Sequence, residues 1–131
     1  MDCSQQRIMP RLLGDKSSMA LALVAQISAT AAMLWPAPDL PDIDLPMADK
    51  WAHFLVFGGL YFLWASALRN SRVLSQSLLL IFALLSYGII IEVIQEYFYV
   101  SRTGDLMDVV ANSFGILLGL IAFNFKEKLY P

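Results

Sequence analysis

Apolar residues run through this chain in four blocks, about Met19 to Trp35, Trp51 to Leu68, Leu74 to Tyr97 and Leu106 to Phe125. Each is long enough to cross roughly 30 Å of hydrocarbon as a helix. Within the blocks apolar side chains cover most of the helical circumference, whereas barrel strands would alternate apolar and polar positions. The pattern predicts an all-α fold, a bundle of four transmembrane helices, whose short connections make consecutive helices antiparallel neighbours. Polar positions inside or beside the blocks gather in three clusters. Asp49, Lys50 and His53 open the second block, Glu92, Gln95 and Glu96 close the third, and Arg102, Asp105, Asp108 and Asn112 lead into the fourth. Alternating helix directions bring all three clusters to one depth.

Composition strengthens the membrane reading: 58% of the 131 residues are hydrophobic and only 15% are charged, beyond what a soluble domain of this size carries. Seven of the nine basic residues fall at Arg7, Arg11 and Lys16, at Arg69 and Arg72, and at Lys126 and Lys128. The preference of Lys and Arg for the cytoplasmic side then places both termini inside and the three clusters outside. The expected organisation is a cytoplasmic segment over residues 1–18, a transmembrane domain over 19–125 and a cytoplasmic tail over 126–131. A basic start, an apolar run and small residues around Ala29 to Ala32 also fit a cleavable signal, but a retained first helix is preferred because the bundle needs its cover. Pro36, Pro38, Pro41 and Pro46, with Asp39, Asp42 and Asp44, predict a stiff acidic strap between the first two helices. A net charge of -2 and scattered basic residues argue against nucleic acid as a partner. The single Cys3 forms neither an internal disulfide nor a redox pair.

Asp49 and His53, four apart, stack on one face of a helix expected to begin near Pro46. One reading makes them an oriented imidazole, the carboxylate fixing the tautomer; the other is a helix dipole partner beside an interfacial histidine. Glu92 lies about 8 to 10 Å below the aromatic belt Tyr97, Phe98 and Tyr99, where a carboxylate must be paired or protonated. It is either a functional group or a structural ion pair with Arg102 or His53, while Glu96 is a solvated helix-end charge. Asp105 and Asp108 suit a first helical turn as cap and dipole partners. Asp108, Asn112, Gly115 and Gly119 recur at steps of four, three and four, so one stripe is polar outside and glycine-lined farther in. Such small residues let helices approach closely, with Gly58 and Gly59 as a complement. Arg102 suits a phosphate or carboxylate, or a salt bridge to Glu92, Glu96 or Asp108.

No Gly-x-Ser-x-Gly elbow, His-Glu-x-x-His pair or phosphate-binding glycine loop is present. His53, Glu92 and Asp108 form an oxygen-rich set with one nitrogen, closer to magnesium or manganese than to a closed zinc site. No spacing enforces that set, so neither metal nor cofactor is assigned.

Read in order, Asp49-Lys50-x-x-His53-Phe54-x-x-Phe57, Glu92-x-x-Gln95, and Arg102 with Asp108, Asn112, Gly115 and Gly119 resemble the pattern of the VanZ-like family of small bacterial membrane proteins. The resemblance covers Asp49 to Gly119 with every polar position filled. It implies a four-helix membrane domain with these residues in one site, and its namesake is associated with resistance to the glycopeptide teicoplanin without an established biochemical activity.

The expected function is a multi-pass protein of the bacterial inner membrane acting on, or binding, a lipid-linked or headgroup substrate. Glu92 and His53 share acid and base work and Asp49 orients His53. Arg102 holds an anionic group, Asp108 and Asn112 position substrate or an ion, and Lys50 and Gln95 complete the binding set. Gly115 and Gly119 serve helix packing, within one chain or between copies. Membrane lipids and a lipid-linked envelope precursor are the expected partners. The alternative is a non-catalytic accessory or lipid-binding protein using the same pocket.

Overall fold

A computed structural model describes residues 15–35, 47–68, 74–98 and 105–130. Four helices account for almost all of them: α1 Asp15–Met33, α2 Ala48–Ala67, α3 Leu74–Phe98 and α4 Leu106–Leu129, with no strand among the described residues. The apolar blocks thus became helices, with their ends displaced by a few residues. Polar ends extend two of them: α1 begins at Asp15 ahead of its apolar run, and α4 continues through Lys126 and Lys128, cations that suit the negative end of the helix dipole. As expected, α2 begins close to Pro46, at Ala48 behind Met47, which holds a left-handed conformation (φ 62°, ψ 24°) and makes no side-chain cap. The acidic strap, Arg102, Cys3 and residues 1–14 and 131 lie outside the described residues.

Consecutive helices do touch, but the tightest partnership is between α2 and α4, which are not consecutive. They run in the same direction: Lys50 reaches Asp105 near their starts, and Lys126 reaches Ser66 near their ends. Backbone contact makes this pairing possible. A methyl group on Gly115 would run into the Phe54 carbonyl, one on Gly119 into the Gly58 carbonyl, and one on Gly58 would lie 3.0 Å from the Gly115 oxygen. Each glycine on this seam therefore removes volume where a side chain would separate the helices. Gly59, expected to share the complement, has nothing within 4 Å of such a methyl and takes no part in it.

Around the seam, Phe57, Leu60, Tyr61, Leu84, Ile91, Ile116 and Phe123 form the buried apolar core. α1 joins through polar ties: Trp64 Nε1 donates to Gln26 Oε1 at 3.1 Å, and the Thr30 and Tyr87 hydroxyls lie 2.9 Å apart. The exterior is strongly apolar, with Leu79, Phe82, Ile90, Phe114, Ile121 and Phe125 each exposed. Meanwhile His53, Glu92, Gln95, Asp108 and Asn112 are buried. This polar-inside, apolar-outside arrangement reverses that of a water-soluble protein and far exceeds an ordinary apolar surface patch. α3 and α4 are each long and apolar enough to cross a membrane.

Candidate functional site

The site is assembled where the starts of α2 and α4 meet the end of α3. Helical spacing puts Asp49 and His53 on one face of α2, while Asp108 and Asn112 share the α4 stripe that continues into Gly115. Because the glycines hold the two helices at backbone distance, His53 and Asn112 meet directly, with His53 Nδ1 3.0 Å from Asn112 Oδ1. A carbonyl oxygen can only accept, so Nδ1 carries the proton and, in the neutral imidazole, Nε2 keeps its lone pair. Glu92 Oε1 approaches the same Nδ1 at 3.6 Å. On the other side of the ring, Nε2 lies 3.9 Å from Asp49 Oδ1, beyond hydrogen-bond range. The α2–α4 approach thus delivers the buried Asn112 amide to one ring nitrogen, while Asp49, on the helix's own first turn, stands at ion-pair distance from the other.

Lys50 bridges to α4, donating to Asp105 Oδ2 at 2.7 Å and to Asp108 Oδ1 at 3.3 Å. Its ammonium holds the Asp105 carboxyl below the ordinary carboxylate range, aided by the Met107 backbone N–H. Asp105 is also the N-cap of α4, accepting from Met107 N at 2.9 Å. Its own backbone N–H donates to Glu92 Oε2 at 3.2 Å. In a capping box, a side chain three residues into the helix takes that N–H; here a glutamate from another helix does so. Glu92 thereby ties α3 to the start of α4 while its Oε1, buried and without a hydrogen-bond partner, faces the imidazole.

Gln95, expected in the binding set, donates from Nε2 to the Met33 carbonyl at the end of α1 at 2.8 Å. Glu96 is exposed at the same end of α3, as expected. Asp49, His53 and Asp108 each offer a ligand atom within 4.8 Å of the others, a set suited to a cation. It differs from the His53, Glu92 and Asp108 set that was weighed in the sequence without being assigned: Asp49 stands in place of Glu92, which faces the opposite ring nitrogen. Surface grooves of about 330 Å³ between α1 and α2 and about 590 Å³ between α3 and α4 are lined by other residues.

Comparison with known families bears on this constellation as a whole, since a VanZ/LLP1 family model matches residues 6–127. The chain belongs to the VanZ/LLP1 family. No curated protein and no solved structure matches it. Membership and the two apolar helices both point to a membrane protein. One contributor to this VanZ-like site went unnoticed in the sequence. Gly88 on α3 faces Asn112 and Phe57, and a methyl there would lie 2.8 Å from Asn112 Nδ2 and 3.1 Å from the Phe57 ring. Its signal was available as a lone glycine within an apolar helix, which marks close approach when no turn is present.

Proposed function

We propose that the chain is a four-span protein of the bacterial cytoplasmic membrane, with both termini inside and an outward-facing polar site that binds and processes a lipid-linked or headgroup substrate of the cell envelope. The observation that carries this reading is the convergence of buried His53, Glu92, Asp108 and Asn112 at one end of a bundle whose exterior is apolar. Ionisable groups are costly in such surroundings and mark functional sites by default. His53 Nε2 is the proton acceptor, and Glu92 stabilises the imidazolium from the Nδ1 side, an arrangement of base and supporting carboxylate with ample chemical precedent. Asp49 lies at the entrance, Arg102 holds the anionic group, and Asp108 with Asn112 fixes geometry.

The test is turnover of envelope lipid precursors by the purified chain and by its Glu92→Gln and His53→Gln variants. Product formed by the parent and lost in both folded variants is the expected result; equal turnover in the three removes these residues from the mechanism. A second reading, a non-catalytic accessory or lipid-binding protein, draws support from Lys50 and Gln95, whose nitrogens are already engaged by protein acceptors. Saturable lipid binding without product would favour it. Loss of teicoplanin tolerance on deletion of the gene would connect either reading to glycopeptide resistance.

A further inference from the structure

The sequence divides charge unequally between the two ends of the bundle. The stretches before the apolar run of α1, between α2 and α3, and beyond the apolar run of α4 hold seven of the nine basic residues against the acids Asp2, Asp15 and Glu127. Lys50 and Arg102 are left with the rest of the eleven acidic residues at the polar-site end. Cations gathered at one face of a membrane draw anionic lipid to it.

A groove opens at that basic end. It lies between α3 and α4 with a volume of about 590 Å³, and its lining changes character along the helices. Because the end of α3 meets the start of α4 at Glu92 and Asp105, the start of α3 lies by the end of α4. Lys128 and Ser77 therefore stand toward the mouth, Asn124 lies one turn in from Lys128, and Leu78, Ile81 and Leu120 line the inner part. Neither Asn124 nor Lys128 makes a hydrogen bond or ion pair with any described residue. Asn124 is exposed beside exposed Phe125, on an apolar exterior where an amide without a partner is costly. Lys126 is turned instead toward α2: its Nζ donates to Ser66 Oγ at 3.4 Å and lies 5.8 Å from the centre of the Phe62 ring. Glu127, the acid between the two lysines, approaches Lys126 at 3.6 Å. The first turn of α3 contains no acidic residue and brings the positive end of its helix dipole to the same mouth.

We propose that this groove binds one anionic phospholipid, its phosphate held by Lys128 and the Asn124 amide and an acyl chain laid along Leu78, Ile81 and Leu120. A zwitterionic lipid offers the same chain but brings a second cation beside Lys128, so the site selects headgroups of net negative charge. This is a lipid position at the opposite end of the bundle from His53 and Glu92. It rests on the membrane placement proposed above, and neither on the direction of insertion nor on chemistry at the polar site.

The full chain in detergent is titrated with palmitoyl-oleoyl phosphatidylglycerol or with phosphatidylcholine of the same chains, and retained lipid is counted by native mass spectrometry. One phosphatidylglycerol per chain, held in preference to phosphatidylcholine, is expected, weakened about fivefold in Lys128→Gln and in Asn124→Leu. Leu78→Trp fills the groove while leaving both polar groups in place, and it should lose the lipid as well. Lys16→Gln should keep it, which separates a site from diffuse positive charge. All four positions are exposed, so these variants should fold, as melting curves will check. Retention that persists in His53→Gln belongs to this groove, so failure of turnover at the polar site and failure of this lipid site are read separately. Equal retention of the two lipids by the parent, or undiminished phosphatidylglycerol binding in folded Lys128→Gln and Asn124→Leu, overturns the proposal. A lipid-free dimer that Leu78→Trp splits would also overturn it, giving the groove to a second copy of the chain.

Discussion

Glu92 gives its two oxygens different tasks, and substitutions can separate them. Oε2 accepts from the Asp105 backbone, while Oε1 faces His53 without a hydrogen-bond partner. Glu92→Gln retains an acceptor for Asp105 and removes a buried charge, so the melting temperature in detergent should hold or rise while function is lost. Such a trade is common where a strained functional group is neutralised. Glu92→Ala instead strips the Asp105 N–H of its acceptor and should cost about 1–3 kcal/mol, read from the same melting curves. Asp105 offers a pH test. Lys50 lowers its carboxyl pKa, so the stability it contributes is present above the ordinary carboxylate range and is lost as pH falls through the lowered value. Asp105→Asn keeps a good N-cap but lacks that charge. The melting-temperature gap between parent and Asp105→Asn should therefore be small, because the pair is partly exposed, and should close on acidification.

At the scale of elements, the α2–α4 seam depends on absent side chains. Gly115→Ala drives a methyl into the Phe54 carbonyl, which belongs to backbone and cannot rotate away. The expected loss is about 1–3 kcal/mol, with His53 and Asn112 drawn apart and lipid binding reduced in parallel. Gly59→Ala, on the same helix with open space around it, should stay within about 0.5 kcal/mol of the parent. Equal melting temperatures for the two variants would show that the seam is not what holds the site together. The expectation of close packing came from the Asp108, Asn112, Gly115, Gly119 stripe, whose helical period is legible in one dimension. Which residue of α2 opposed it was not, since Gly58 and Gly59 are adjacent and only the rotation of α2 about its axis chooses between them. The partner of Gln95 was hidden for a related reason: it is a backbone carbonyl at the end of α1, and main-chain acceptors carry no sequence signature.

For the whole molecule, the proposed topology predicts that a green fluorescent reporter after residue 131 fluoresces and that alkaline phosphatase inserted between residues 36 and 46 is active. The opposite pair of results would turn the polar site toward the cytoplasm. α3, at 25 residues, is about 37 Å long, enough to cross hydrocarbon with its polar end beyond the core. The apolar blocks by themselves determined the helix count and approximate bounds, because lipid leaves the backbone few alternatives to helix. The spaced polar residues likewise determined at which end of the bundle the buried polar side chains gather and the family to which the chain belongs. Only tertiary structure decided that α2 and α4 form the central pair, that Asn112 meets the His53 ring, and that Glu92 completes the cap of another helix. Those relations depend on how far helices approach and how each is rotated, and both are set by packing between residues dozens of positions apart.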